Sequence, residues 1–511
     1  MQLFYHVFFA VGLLLVFKFV WTALRILVSP LRSVPGPFLA RFTDGWYLWR
    51  VSRGQFEKDN LALHARYGPV VRYGPNRYSI SDIEASRIIY GHGSRFPKSS
   101  WYSTWASPGA WSIFGDQSIH RHAQNRKLYQ HTYSMTSLVT YEPFVDQASD
   151  LFLQRLNELA NAGGAPIDMG HWFQCYAFDV IGLITYGRRL GFLDRGADIG
   201  GVMGALEDHL VYATLVGIYA KLHRYLFPVR NFLAGKKGAG RAYVLNFTKE
   251  RVSEHQSKKD IHPTSTDDGS KLDTKTGEPF LTKFIDKHNQ DPTVFTSAHI
   301  IVGLAANMVA GSDTTAISLS AILFYLLSEP KCLAKLRAEI SSLKAQGRVS
   351  ATASFRETQD MPYLQAVIKE SLRMHPATGL PLERVVPDGG ARICGRDFPK
   401  GSIVGINSWV EHRNKDIFGE DADVFNPDRW LSADQERVGL MNRHWMPFGL
   451  GSRTCIGRHI SMLEISKLLP RLLDSFDFEI VQSSEGHGNT WKTCNFWFVK
   501  PSNFMLRITI R

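Results

Sequence analysis

The sequence predicts a mainly α protein with small β-sheets, an α+β chain, and three observations carry that reading. From Glu142 to Met374 apolar residues recur mostly at helical spacing, as in "VDQASDLFLQRLNELANA". Strand-like runs with turn residues stand near both ends, "PVVRYGPNRYSISD" from Pro69 and "NFMLRITIR" at the C-terminus. The composition, 44% hydrophobic and 21% charged, is that of a chain able to bury a large core.

Taken in order, the chain opens on "LFYHVFFAVGLLLVFKFVWTALRILV", apolar from Val7 to Phe17 and again from Phe19 to Leu24. The two runs together reach the ~20 residues that cross a bilayer if Lys18 extends to an interface. Arg25 and Arg32 follow the run rather than precede it, which disfavours a cleaved signal and keeps the following domain cytosolic by the positive-inside rule. Residues 1–28 are therefore expected to be a transmembrane anchor, with a signal peptide or an interfacial helix as the alternatives. In "SPLRSVPGPF" Pro30, Pro35 and Pro37 stiffen the chain, so residues 29–41 read as a hinge between membrane and globule. The polar stretch from Arg251 to Pro279 is too poor in apolar residues for a core and reads as an exposed loop between two helices.

The formal net charge of +12 is scattered, and its densest run, "GKKGAGR", lacks interleaved aromatics, which argues against nucleic acid and leaves an anionic membrane surface or an acidic protein as the partner. The five cysteines, Cys175, Cys332, Cys394, Cys455 and Cys494, are odd in number and widely spread, with no CxxC pair, so they indicate a reducing compartment rather than a disulfide framework.

Three stretches carry chemistry. "FGLGSRTCIG" sets Cys455 in a glycine-rich loop two places after Arg453. A cysteine chosen for packing needs no such neighbours. An iron-bound thiolate does, because it must be kept deprotonated by backbone N–H groups in a loop that closely approaches a flat macrocycle. Gly451 and Gly457 would give that approach and Arg453 would neutralise a propionate. The second stretch, "AGSDTTA", puts Gly311, Asp313, Thr314 and Thr315 inside an apolar helix, where poor helix formers loosen the hydrogen-bond ladder and could open a groove for dioxygen. The plainer reading is a threonine that bonds back to a helix carbonyl. In the third, "KESLRMHP", Glu370 and Arg373 share a helix face.

Phe448, Gly451, Arg453, Cys455 and Gly457 together resemble the haem-ligand loop of the cytochrome P450 monooxygenases, and the other motifs follow that family's order along nearly the whole chain. The resemblance implies a single haem domain over residues 42–511, haem b with Cys455 as axial iron ligand, and dioxygen as co-substrate. It makes Thr314 the residue that steers protons and Asp313 the link to bulk water. It joins Glu370 and Arg373 to Arg429 of "FNPDRW" in a buried structural triad, and places Arg126, His122 (where the family has tryptophan) and Arg384 of "LERVV" at the haem propionates. It implies electrons from NADPH through a separate NADPH–cytochrome P450 reductase, with cytochrome b5 as a further candidate donor, since no Walker loop or dinucleotide fingerprint marks a reductase domain in this chain. It also implies single-pass residence in the endoplasmic reticulum membrane, facing the cytosol. "NMVAGSDTTAISLSAILFYLL" and "NFWFVKP" are similar to the membrane-bound fungal, pisatin-demethylase-like branch, in which oxidation of a hydrophobic small molecule in secondary metabolism is expected: hydroxylation, demethylation, epoxidation or ring closure. Pocket residues are expected in Ser99–Trp111, around Asn307 and Ala310, in "ATGLPL" and in "CNFWF". The alternatives are the same fold acting as an isomerase, dehydratase or peroxygenase, and a non-catalytic membrane haem-binding protein.

Overall fold

In the computed structural model of the chain, residues 28–234, 240–261, 277–481 and 491–511 are described, with isolated positions between 5 and 24. The principal helices are α1 (Ile119–Gln130), α2 (Glu142–Asn161), α3 (Met169–Tyr186), α4 (Val202–Ile218), α5 (Ser297–Ser328), α6 (Pro362–Met374) and α7 (Arg458–Ser475). The strands are β1 (Val70–Gly74), β2 (Arg77–Ile80), β3 (Ile167–Asp168), β4 (Arg384–Val385), β5 (Ala391–Ile393), β6 (Arg396–Phe398), β7 (Ile403–Gly405), β8 (Phe476–Ile480), β9 (Lys492–Phe496), β10 (Phe498–Ser502) and β11 (Met505–Ile510). They form four small sheets, ordered β1-β2-β7-β4, β3-β11-β8, β10-β9 and β5-β6. This is the helical α+β architecture that the sequence predicts.

The apolar run around "AGSDTTA" becomes the 32-residue helix α5. A capping box starts it, in which Thr296 and His299 exchange hydrogen bonds that satisfy otherwise orphaned N–H groups. It is long and apolar enough to cross a membrane, but 61% of its most apolar window lies inside the protein. A helix that is apolar all round is what the centre of a large core requires. It packs chiefly against α3, whose Phe173, Phe178, Ile181 and Ile184 are buried in the same core. α3 begins at the Asp168 cap and stops at Gly187, whose φ of 74° is the left-handed geometry that glycine supplies at low cost.

The early strands are enclosed: every residue of β1 and β2 is buried. The polar members are satisfied internally: Arg72 donates to the carbonyls of Leu31 and Pro75 at 2.7 Å, and Arg77 pairs with Glu383. The cover on one side comes from the proline-rich segment. Leu31 and Val34 pack against Val70, Tyr78 and Ile80, and Pro35 O accepts from Arg72 N at 2.8 Å. Residues 29–41 are thus not a free spacer; Leu31 and Val34 seal the sheet, while Phe38 and Leu39 stay exposed. The polar stretch from Arg251 also differs, because the helix Gly240–Ile261 continues through its first part, and residues 262–276 lie outside the described residues. The anchor expected over 1–28 falls mostly outside them too; the large apolar residues described there, among them Phe9, Leu13, Phe17 and Leu24, are exposed.

Glu370 and Arg373, on α6, are completely buried. Glu370 accepts from Arg373 Nε at 2.9 Å and Nη2 at 2.8 Å, from Arg429 Nε at 3.0 Å, from Trp430 Nε1 at 2.9 Å and from Asn426 N at 2.8 Å. The remaining guanidinium donors of Arg373 reach the carbonyls of His412, Ala422 and Val424. One carboxylate therefore fixes α6 to the 421–430 loop. Glu370→Gln leaves the buried Arg373 guanidinium without its counter-charge, while Arg429 keeps Asp421 at 3.0 Å, so denaturant unfolding should show a loss of about 3–5 kcal/mol; a loss within ~0.5 kcal/mol, the size of a neutral surface change, would mean that the net does not carry the fold.

Candidate active site

The Cys455 loop is closed by its own backbone. Cys455 N donates to Phe448 O at 2.7 Å, and Thr454 Oγ1 reaches the same carbonyl at 3.3 Å. Gly451 is required twice over: its φ is +64°, and a Cβ there would lie 1.7 Å from Tyr90 O. Gly457 is different, since no protein atom lies within 4 Å of such a Cβ and its φ is −84°. The chain itself does not demand glycine at 457, and the close approach expected there involves no protein neighbour. Cys455 lies three residues before α7, so its sulfur sits at the positive end of a helix. Burial pushes its thiol up, while the backbone N–H of Gly457 and the guanidiniums of Arg126 and Arg458 pull the other way.

Cys455 opens onto a cavity of about 1020 Å³, which Phe448, Gly451, Arg453, Arg126, His122 and Arg384 also line. Among the described residues none of the three arginines has a carboxylate within ion-pair distance, although the nearby Asp116 is paired with Arg121. Arg453 bonds only carbonyls, with Nη1 2.6 Å from Asp116 O, and Arg384 Nη1 is 2.9 Å from Glu383 O. Burial and then the charge of Arg384 bring Arg453 down to about 10. His122 is buried and, through burial and the charges of Arg453, Lys98 and Arg126, is lowered to about 3, so it stays neutral. A fourth cation, Lys98, was not legible in the sequence. It is 7% exposed, donates to Phe114 O at 2.6 Å and lies 4.2 Å from the Tyr102 ring centre. Burial and Arg384 hold its ammonium well below the usual lysine range. Its place is set by an antiparallel bridge between Lys98 and Arg384, a long-range pairing with no local signature.

A cavity with a thiol at a helix N-terminus on one wall and uncompensated guanidiniums on another fits an iron porphyrin. The sulfur is a soft iron ligand, and the guanidiniums match carboxylates. The donor set therefore fits the haem expected from the sequence.

The polar segment of α5 is not part of this cavity's wall. Thr314 Oγ1 donates to Ala310 O at 2.8 Å, the back-bonding arrangement. Thr315 Oγ1 lies 3.0 Å from Ser461 Oγ, tying α5 to α7 just beyond the cysteine loop. Asp313, expected to face bulk water, has a side chain only 1% exposed; it accepts from Gln174 of α3 and pairs with Lys500 of β10 at 3.2 Å. Polar neighbours from two other elements enclose it, which no motif on α5 could reveal.

The first half of the aromatic loop is packed into a buried core cluster. Trp101, Tyr102 and Trp105 pack with Leu210 and Ala213 of α4, with Ala377 and Leu380, and with Trp497 and Phe498. Trp101 Nε1 donates to Thr214 O at 3.1 Å and Thr104 Oγ1 to Ala213 O at 2.8 Å, so α4 is stitched to this loop. The loop's second half lines another cavity, of about 780 Å³, with Lys221, His223 and Arg224. Around Asn307, expected in the pocket, the Tyr133 hydroxyl, itself on the wall of the Cys455 cavity, donates to the amide oxygen, and the amide nitrogen donates to Thr185 Oγ1 at 3.2 Å.

A sequence model of the cytochrome P450 family matches residues 35–505. The chain is 36% identical to a pisatin demethylase of Fusarium vanettenii over 489 residues, 95% of this chain and 90% of the relative. It is 38% identical to a cytochrome P450 monooxygenase of Aspergillus terreus over 472 residues, covering 90% and 93% of the two chains. It is 33% identical to a cytochrome P450 monooxygenase of Penicillium aethiopicum, covering 98% of each.

Because Arg126 and Arg384 have no carboxylate partner, replacing either by leucine should weaken haem retention by roughly ten- to a hundredfold, the loss of ~1.5–3 kcal/mol of charge-assisted hydrogen bonding. Haem titration of the stripped protein measures this. The haem-free protein should lose no thermal stability, and a matching loss there would reassign these residues to folding.

Proposed function

The chain belongs to the cytochrome P450 family, and from that premise we propose how its residues divide the work of a haem-thiolate monooxygenase acting on a hydrophobic, largely aromatic small molecule. The enzyme incorporates oxygen from dioxygen, with electrons supplied by a reductase. The observation that carries the site assignment is the joint placement of Cys455 and three carboxylate-free arginines on one cavity.

The haem, when bound, supplies the centre at which dioxygen is held and reduced. Cys455 would be its iron ligand, and the Gly457 N–H, Arg126, Arg458 and the positive end of α7 favour the thiolate against the burial that pushes the thiol up. Arg126, Arg384 and Arg453, with Lys98, receive the propionates, and neutral His122 can donate one further hydrogen bond. Phe448 closes the loop behind the sulfur through its carbonyl. The hydroxyl of Thr314, whose proton is committed to Ala310 O, keeps lone pairs with which to accept a hydrogen bond. Asp313, one residue earlier, is the group that holds and passes protons.

The Trp101, Tyr102, Trp105, Trp497 and Phe498 cluster supports an aromatic substrate, since ring edges and faces offer wide contact at small entropic cost. Oxidative tailoring of a fungal secondary metabolite, including removal of a methyl group as in the pisatin demethylases, agrees with that surface. Electrons from NADPH would reach the site through a reductase docking on the basic face by the cysteine loop, where Lys127 and Arg458 are exposed. Residues 1–28 would hold the chain on the endoplasmic reticulum membrane, with the catalytic domain in the cytosol.

The reduced protein under carbon monoxide should show a Soret band displaced far to the red, the signature of thiolate ligation, and Cys455→Ala should abolish it. A band at the imidazole-ligated position in the unchanged protein would reject Cys455 as ligand. With a turned-over compound from a methoxylated aromatic panel, Thr314→Ala should lower product per NADPH and raise peroxide, at little cost in substrate affinity; unchanged coupling would remove the role given to Thr314.

A further inference from the structure

The short helix Ser408–Glu411 ends on Glu411 and His412, and both side chains are completely buried. His412 uses its two ring nitrogens in opposite senses. Nδ1 lies 3.0 Å from Arg373 O, which can only accept, and Nε2 lies 2.9 Å from Met446 N, which can only donate. The partners therefore fix one neutral tautomer, with the proton on Nδ1 and the lone pair on Nε2. Burial and then the charge of Arg373 agree with this, lowering His412 to about 3. Arg373 in turn donates to His412 O at 2.6 Å, so ring and backbone both tie His412 to the Glu370 net.

Met446 stands two residues before Phe448, whose carbonyl accepts from Cys455 N at 2.7 Å. Its N is held by His412, and its O by Ser408 Oγ at 3.3 Å and Gly449 N at 3.0 Å. Pro447, with its fixed φ, stiffens the one residue between Met446 and Phe448. The far part of the cysteine loop is held differently, by the close approach of Gly451 to Tyr90 O and by Arg453 on Asp116 O. Its entry is where His412 acts.

We propose that His412 is a positioning residue for the iron–thiolate bond: it carries the position of α6 to the first residues of the Cys455 loop and thereby sets where the sulfur stands. This rests on the reading of Cys455 as iron ligand. A displacement at Met446 passes through stiff Pro447 to the Phe448 carbonyl, and from there through the bond to Cys455 N. Losing the bond at His412 frees that path at its origin. Glu411 Oε1 lies 2.8 Å from His444 Nδ1, so the segment before Met446 keeps an anchor of its own when His412 is changed.

The test uses the full-length, haem-loaded protein, reduced under carbon monoxide, and follows the rate at which the red-displaced Soret band gives way to the imidazole-type band on mild warming. His412→Asn keeps a donor at the Nδ1 place but no acceptor for Met446 N, and should speed that loss of thiolate roughly five- to tenfold, the effect of one hydrogen bond. His412→Gln keeps an acceptor at the Nε2 place but gives up the bond to Arg373 O, and should leave the rate near that of the unchanged protein. The iron–sulfur stretching frequency in resonance Raman should fall in His412→Asn and hold in His412→Gln. Each variant gives up one buried hydrogen bond, so their melting temperatures should fall alike, and fold stability cannot account for a difference in rate between them. If both keep the unchanged protein's rate and frequency, or if both lose the thiolate equally fast, His412 is a structural residue and the proposal is rejected alone. If the unchanged protein shows no red-displaced band, the reading of Cys455 fails and takes the proposal with it. Where His412→Asn binds no haem, Ser408→Ala decides, since it frees Met446 O instead: a faster loss of thiolate supports the positioning of Met446, and an unchanged rate overturns it.

Discussion

The packing of α5 through the middle of the protein is the constraint on which the remainder depends. A helix of 32 residues with almost no charge must be surrounded, and α3, α6 and α7 do the surrounding. Once those helices are pressed against it, the cysteine loop is placed, because Cys455 lies three residues before α7 and Ser461 of α7 bonds Thr315 of α5. The polar interruption of α5 then sits where two elements can reach it, Gln174 from α3 and Lys500 from the C-terminal hairpin. Position along the core helix thus determines both the chemistry it borders and the partners it receives.

Charge is handled in two opposite ways. Around Glu370 every strong donor is answered: two guanidiniums, an indole and a backbone N–H converge on one carboxylate, and the spare guanidinium hydrogens end on carbonyls and on the carboxylate of Asp421. Such saturation is what makes a buried charge tolerable. Around Cys455 the reverse holds, with Arg126, Arg384, Arg453 and Lys98 gathered and no carboxylate set among the arginines. Burial first, and then the neighbouring charge of Arg384, lowers the affinities of Arg453 and Lys98 for their protons. Unanswered positive charge in a largely enclosed space is unfavourable to folding, and it is the mark of a surface made for an anionic ligand.

Parts of this were legible from residue order. The helical α+β class, the terminal strands and the cysteine loop follow from patterns within a few residues, where period and turn chemistry act. Other parts were not. Lys98 looks like any lysine until the bridge to Arg384 brings it to the site. Asp313 reads as a solvent link until Lys500, far along the chain, is seen against it. Nothing near Asn307 in sequence shows that Tyr133 and Thr185 hold its amide. The proline-rich segment reads as a spacer until Leu31 and Val34 are found sealing a sheet.

The division has one physical cause. By itself the sequence determined which backbone shapes and which chemically able residues the chain possesses: a thiol in a glycine loop, an acid and threonines in an apolar helix, a carboxylate and a guanidinium one turn apart. Those depend on local sterics and spacing. Only the tertiary structure decided which charges are answered and which are left open, because electrostatic partnership depends on distance in space and on burial, and both arise when segments hundreds of residues apart are packed together.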